Sequence, residues 1–370
     1  MTARKRVLLV GGTGATGRRI AADLRSACPE VALCVAGRRP PLPGLLPEGV
    51  TFVALDVEDP GAAARTFREH DLVVLALGPF ELHGGTIHRL CIEAGTDCVD
   101  INDSFEAAER ILALDALAKE RGVLVATGMG LVPGLSTLLV MSALEETPPG
   151  AREVSVRLFM GAKNGGGSTS PYTLLAGFRP RTAELREGRM EQVPTQWGGP
   201  ELHYDFPGFG AAPTFHFSCP ESLTLARAPR PRAAGLRRVS HRYHVQFFPF
   251  LMARAFAALP LLRTRPVLQR YSRMLAGMHG VTRDRKGSLG LTSLVVDCKG
   301  EGARRRRFVS GEALSAYHLT ASFAAMVVEM LLDRTLPRPT GVASFEDLYA
   351  PELPFSEYLQ RRNITLQSEP

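Results

Sequence analysis

Cysteine is sparse and scattered. The six residues Cys28, Cys34, Cys91, Cys98, Cys219 and Cys298 include no C-x-x-C pair, which argues against a structural zinc site and against a disulfide framework. Four of them fall in apolar stretches of the N-terminal third, where a free thiol behaves as a small buried hydrophobe. A secretory leader is lacking as well. Met1 to Arg6 runs straight into Val7–Val10 with no apolar h-region and no small-residue cleavage site, so the expected compartment is reducing and cytoplasmic. No internal repeat is visible. No RNA- or DNA-binding module accompanies the net charge of +7, so nucleic acid is not an expected partner. An anionic cofactor or an anionic membrane surface remains for that charge to meet. No metal-ligand cluster and no nucleophile–base triad stands out.

What is present is a regular alternation of short apolar runs and helical stretches. The strands expected are Val7–Val10, Val31–Ala36, Thr51–Leu55, Leu72–Leu77, Cys98–Ile101 and Val123–Ala126. Gly17–Ser26, Ala62–Glu69, Gly84–Ala94 and Phe105–Arg121 read as helices between them. Strand–helix–strand repetition of this kind specifies a doubly wound parallel sheet. The pattern changes near residue 146. Thr147-Pro148-Pro149-Gly150 reads as a linker, Val154–Met160 alternates like a half-buried strand, and a glycine-rich loop runs over Gly165–Ser170. Gly290–Cys298 is a further strand, and together these suggest a mixed second domain. Leu314–Asp333 is a helix apolar on most faces, expected to be buried and to pack back on the first domain.

The most specific signal is Val10-Gly11-Gly12-Thr13-Gly14-Ala15-Thr16-Gly17, a turn that follows the first strand and opens a helix. Gly11 permits the tight turn, Gly14 lets backbone approach a pyrophosphate, and Gly17 lets helix and strand pack closely. The helix N-terminus then offers free N–H groups to the anion. The second strand indicates which nucleotide. NAD-binding versions end it with a carboxylate for the ribose 2′-hydroxyl. Here it ends Ala36-Gly37-Arg38-Arg39, and arginines there meet a 2′-phosphate with charge-assisted hydrogen bonds. NADP is therefore the expected cofactor, with a solvated basic turn as the alternative. Asp56, closing the third strand, suits a contact near the adenine or a cap on the turn that follows.

Further segments occur in a fixed order: Gly78-Pro79-Phe80 with Gly84, Cys91 followed by Ala94-Gly95-Thr96-Asp97-Cys98-Val99-Asp100, and Gly130-Leu131-Val132-Pro133-Gly134. With the glycine turn and Ala36-Gly37-Arg38 they resemble the saccharopine dehydrogenase (saccharopine reductase)-like family, including its trans-acting enoyl reductase branch. The resemblance covers about residues 5 to 140 and returns faintly at Tyr317, Thr320-Ala321, Gly341-Val342 and Glu346. It implies an α/β fold, a Rossmann-type sheet with an α+β second domain inserted before a C-terminal helical return. The corresponding segments are 1–146, 147–312 and 313–370. It also implies that Leu77, Gly78, Pro79 and Phe80 lie beside the nicotinamide, as expected for ligands at the carboxyl ends of parallel strands.

Two residues are candidates for proton transfer: Asp100 at the end of a sheet strand, and Tyr172 after the glycine run. Each has a structural alternative, a turn or capping carboxylate for Asp100 and a core tyrosine for Tyr172. His83 and His88 lie near the expected nicotinamide end with no obvious partner. Residues 245–262 form an apolar stretch with arginines crowding both sides. Arg254, Pro249 and Pro260 sit badly in a spanning helix, which needs about 20 apolar residues. A membrane-interface helix, a tunnel for a greasy chain, a buried helix and a contact in a homodimer all fit that composition.

The leading expectation is an NADPH-dependent reductase of a C=C or C=N bond in a fairly apolar, lipid- or polyketide-like substrate held between the two domains. A dehydrogenase of an amino-acid or polyamine-like substrate, with a polar, carboxylate-binding pocket, is the alternative within enzymes. A non-catalytic NADP-binding sensor is the alternative outside them.

Overall fold

The computed structural model describes residues 4–369 except 149–151, 165–168, 198, 200–201, 229–234, 248–249 and 313. The chain divides into two compact units: residues 1–135 with 317–363, and residues 136–316 with 364–370. The boundary thus falls at the start of the helix Leu135–Glu145, between Leu135 and Ser136, and the last residues join the second unit. Half of the linker and most of the glycine-rich loop lie outside the described residues.

The first unit is built on β1 (Arg6–Val10), β2 (Ala32–Gly37), β3 (Thr51–Ala54), β4 (Leu72–Leu75), β5 (Asp97–Asp100) and β6 (Leu124–Ala126). Apart from Arg6, Thr51, Asp97 and Asp100 at strand ends, these short runs carry no charged or hydroxyl side chain, as strands covered on both faces require. Between them run α1 (Ala15–Ala27), α2 (Pro60–Arg68), α3 (Phe80–His83), α4 (Thr86–Ala94), α5 (Phe105–Leu112) and α6 (Asp115–Glu120). Local chemistry sets their ends. The Asp59 carboxylate caps α2 at the Ala62 N–H, with Pro60 in the first turn, and Gly95 closes α4 in the left-handed region at φ 73°. The single helix expected over Phe105–Arg121 is two, because the chain turns at Ala113–Leu114. The Asp115 carboxylate then accepts the Val342 N–H at 3.0 Å.

The sheet order is β16-β6-β5-β4-β1-β2-β3, where β16 is Gly341–Ala343, and its pairings are parallel. The chain winds outward from β1 to β3, then restarts at β4 on the other side of β1. The hydrophobic core of this unit includes Leu8, Val10, Phe67, Leu75, Ile92 and Val125. Helix α12 (Ala316–Leu332) is buried continuously from Ala321 to Met330, as its apolar faces predict. Short α13 (Phe345–Leu348) and α14 (Phe355–Gln360) follow β16.

The second unit holds α7 (Leu135–Glu145), β7 (Arg152–Met160), α8 (Thr169–Gly177), β8 (Arg181–Arg186), β9 (Arg189–Pro194), β10 (His203–Phe206), β11 (Gly210–Pro213) and β12 (Phe215–His216). After these come α9 (Pro220–Arg227), β13 (Leu236–Val245), α10 (Phe250–Ala258), a 3-10 turn (Pro260–Arg263), α11 (Arg265–Arg283), β14 (Thr292–Gly300), β15 (Ala303–Gly311) and β17 (Gln367–Glu369). The large sheet runs β17-β15-β14-β7-β13-β8-β9, with β12 beside β13. It is mixed, since β7 pairs in parallel with β13 and antiparallel with β14. Val154, Val156 and Leu158 of β7 share one buried face, following the expected alternation.

Candidate functional site

The sheet order places one crevice by topology. β1 and β4 are neighbours whose connections leave in opposite directions, and ligands of open α/β sheets bind outside the carboxyl ends of strands at such a point. The two strands end level, Val10 beside Leu75. The glycine turn fills that end, and three of its glycines are required for different reasons. Gly11 has φ +79°, and a Cβ there would lie 2.6 Å from the Ala76 carbonyl oxygen. A Cβ on Gly17 would lie 2.3 Å from the Gly11 oxygen and 2.6 Å from the Gly12 Cα. Gly14 has an ordinary extended conformation (φ −74°, ψ 174°), and a Cβ there would meet only the Gly11 oxygen at 3.2 Å. Its own fold tolerates a side chain, so glycine at that position leaves space above the turn.

Helix α1 begins at Gly14 with no side-chain cap and no acidic residue in its first turn. Its N–H groups therefore face outward uncompensated, and the helix dipole adds about half a positive charge there. β2 leaves the sheet beside this turn, because Gly37 approaches so closely that a Cβ would lie 3.3 Å from Thr13 Oγ1. Arg38 and Arg39 follow directly and are exposed, with no ion pair among the described residues. Arg18, one residue past Gly17, has a buried Nε with no hydrogen-bond partner among the described residues. That position was not singled out from the sequence. Asp56 is exposed and accepts the Glu58 N–H at 3.1 Å, so it does close the turn after β3. On the β4 side, Leu77, Gly78 and Pro79 are half-buried and Phe80 is buried. The Arg110 guanidinium ties down the segment behind them by donating to the Gly84 and Glu81 carbonyls.

Asp100 is held by a full set of partners. It is fully buried, and its Oδ1 accepts the N–H groups of Asn102 (2.7 Å) and Gly128 (2.8 Å). Its Oδ2 meets His88 Nε2 at 2.8 Å. The Gly85 N–H donates to His88 Nδ1, so Nε2 carries the ring proton and donates it to the carboxylate. The group thereby clamps α4, the end of β5 and the turn at Gly128 together. His88, expected to lack a partner, belongs to this clamp. The neighbouring Asn102 and Ser104 close a local turn, and Ser104 caps α5. Tyr172 is buried in α8 of the second unit.

The second unit gathers polar groups that no local motif announces. Glu221 and His241, both fully buried, meet at 2.8 Å, and the Ser136 and Thr137 hydroxyls donate to the other Glu221 oxygen. Cys219 brings a third ligand-type atom, and the three lie within 4.8 Å of one another. The hydrogen bonds already occupy both Glu221 oxygens, which is what a buried carboxylate needs without a cation. On the sheet, buried Asp297 receives Arg304 at 2.7 Å, Arg306 at 3.0 Å and the Tyr204 hydroxyl at 2.9 Å, with Arg157 beside it. Burial alone would raise its pKa, but these cations hold it below the usual carboxylate value. Glu184 receives Arg186 at 3.1 Å and lies 3.6 Å from Arg238. Neither ring nitrogen of the adjacent, buried His216 makes a hydrogen bond among the described residues, and Nδ1 lies 3.5 Å from Glu184 Oε1. Burial, with the arginines Arg242, Arg238 and Arg186 against the opposing Glu184, pushes His216 down to about 4.

Sheet order, glycine turn and open helix terminus define a dinucleotide-binding α/β unit. Residues 7–126 match the family model of the saccharopine dehydrogenase NADP binding domain. The matched segment contains the glycine turn and runs from β1 to the end of β6, and so lies on the sheet the sequence led us to expect. A probable mitochondrial saccharopine dehydrogenase-like oxidoreductase of Arabidopsis thaliana is 27% identical over 141 residues, covering 34% of this chain and 31% of the relative. The match thus spans about a third of that relative's length. The apo saccharopine dehydrogenase (L-Glu forming) of Saccharomyces cerevisiae has the same fold over 99% of both chains, with TM-score 0.64 and 15% identity. The homospermidine synthase of Legionella pneumophila, solved with NAD, aligns over 99% of this chain and 92% of its own, with TM-score 0.60 and 11% identity.

Proposed function

We propose that this chain is an NADPH-dependent oxidoreductase that reduces a C=N bond in a polar substrate. The observation that carries the first part is the uncapped α1 terminus at the β1/β4 crevice, with Arg38 and Arg39 exposed at the end of β2 and in no ion pair among the described residues. The pyrophosphate would lie over Gly12, Thr13, Gly14, Ala15 and Thr16. Arg38 would take the 2′-phosphate, Asp56 would flank the adenine, and Leu77 to Phe80 would flank the nicotinamide. The bound cofactor would supply the hydride, and these residues would fix where it is presented.

For the substrate, the half-exposed arginines Arg186 and Arg238 around Glu184 suit a charged amino-acid or polyamine-like molecule, and a greasy chain would leave them unused. The apolar stretch that suggested a greasy tunnel turns some of its largest side chains to solvent, with Leu251 and Leu261 each 81% accessible. That weighs against the apolar substrate of the leading expectation and favours the amino-acid or polyamine alternative.

The test is titration of the purified chain with NADPH and NADH by cofactor fluorescence, then NADPH consumption with 2-oxo acids plus amines beside enoyl thioesters. NADPH preference with turnover of the amine mixtures supports the reading. Binding without turnover of any acceptor returns the sensor reading, and turnover confined to enoyl thioesters replaces C=N by C=C.

A further inference from the structure

Basic charge is dense in the segment that follows β13. Between residues 246 and 288 eight side chains are basic and one, Asp284, is acidic, an excess of seven that equals the net charge of the whole chain. This stretch forms α10, the 3-10 turn and α11. Phe256 of α10 packs edge-on against Tyr271 of α11 at 5.3 Å. Ala253 and Ala257 are buried on the same side of α10. The outward residues are large and apolar: Leu251, Leu259, Leu261, Met274, Met278 and Val281 are all exposed, Val281 by 73%. Arg254, Arg265, Arg270 and Arg273 are exposed among them. On α11, Arg270, Arg273, Met274, Met278 and Val281 follow the three- and four-residue spacing of a single helical face.

We propose that the exposed face of α10, the 3-10 turn and α11 docks onto the surface of an anionic lipid bilayer. Leucine and methionine tips insert at the acyl boundary, while the arginines meet the headgroup phosphates. Charge selects this occupant. A second copy presenting the same face would set an excess of seven positive charges against another seven, and a nucleic acid would leave the leucines in water. The contact is peripheral, since among the described residues no helix is long and apolar enough to cross a membrane.

Flotation of the full chain with phosphatidylcholine vesicles, with and without phosphatidylglycerol, tests this. Flotation should occur only with phosphatidylglycerol and should fall as salt screens the headgroups, since the Debye length shrinks to about 3 Å at 1 M. Leu251→Ser and Leu261→Ser should each weaken partitioning about tenfold, given the transfer energy of a leucine side chain. Arg270→Gln and Arg273→Gln should each weaken it about fivefold. Thermal melting of the variants should be unchanged, because these side chains are exposed. Absence of flotation, or flotation that none of these variants weakens, overturns the proposal. A dimer in sedimentation that the leucine variants dissociate also overturns it, in favour of self-association.

Discussion

Gly14 and Gly17 lie three residues apart in one turn, yet substitution by alanine should affect the protein in opposite ways. At Gly17 the new Cβ would lie 2.3 Å from the Gly11 oxygen and 2.6 Å from the Gly12 Cα. Both are backbone atoms of a turn pinned by the Gly11 N–H to Ala36 carbonyl bond at 3.0 Å, so no flexible side chain can yield. Overpacking of this kind costs about 1–3 kcal/mol. Alanine recovers up to about 1 kcal/mol of helix propensity. The net loss of roughly 1–2 kcal/mol should lower the melting temperature by about 2–8 °C in a domain of this size. At Gly14 the Cβ meets one atom at 3.2 Å in a conformation any residue adopts. Gly14→Ala should therefore shift melting of the free protein by no more than about 3 °C, from weaker N-capping. It should still reduce NADPH affinity tenfold or more, because the methyl occupies the space a pyrophosphate needs. Melting curves and cofactor titrations on both variants read the two effects separately. If Gly14→Ala binds NADPH like the parent, the pyrophosphate does not lie over this turn. An unchanged melting temperature for Gly17→Ala would mean that the turn relaxes, which the backbone contacts do not allow.

Three further outcomes follow from other contacts. Arg38→Ala should weaken NADPH about tenfold or more, the range of a charge-assisted hydrogen bond, and leave NADH nearly unchanged; equal effects on both refute the 2′-phosphate assignment. Asp100→Ala strands His88 and the N–H groups of Asn102 and Gly128, which should cost about 3 kcal/mol or more. Asp100→Asn should retain part of that stability in urea unfolding, and equal losses in the two variants would refute the clamp. His216 titrates at about 4 in the fold against 6.5 when free. The unfolded chain then binds the proton first, so stability should fall as pH drops from about 6.5 to about 4, by at most roughly 3 kcal/mol. His216→Gln should remove that slope from melting curves taken across the window, and an identical slope in both proteins would assign it elsewhere.

Much of the first unit was legible because its signals are local. The glycine turn, the strand before it and Arg38 behind the second strand each act within a few neighbouring residues. β16 was not legible. Gly341–Ala343 is too short to show a period, and it is a strand because the edge of β6 accepts it. The break after Leu112 was hidden for a similar reason, since Asp115 answers to Val342 far along the chain. The polar clusters of the second unit draw Glu184, His216 and Arg238 from three strands, and Glu221 and His241 from a helix and a strand. Their pairing is a property of register, which periodicity does not reveal at such separations. In residues 245–262 the composition was plain, but which side would face water depended on how α10 meets α11.

The parallel sheet has its outermost member, β16, supplied by the segment that returns after residues 136–316 of the second unit. A ribosome releasing this chain in order would finish β1 to β6 long before that strand exists. Until then β6 presents an open row of backbone donors and acceptors, and the bed for α12 is bare. Such an edge invites pairing with other chains. A fragment cut at residue 146 should aggregate even though it contains the entire glycine turn. The nucleotide-binding half of this protein is thus completed late, by residues translated long after its glycine turn.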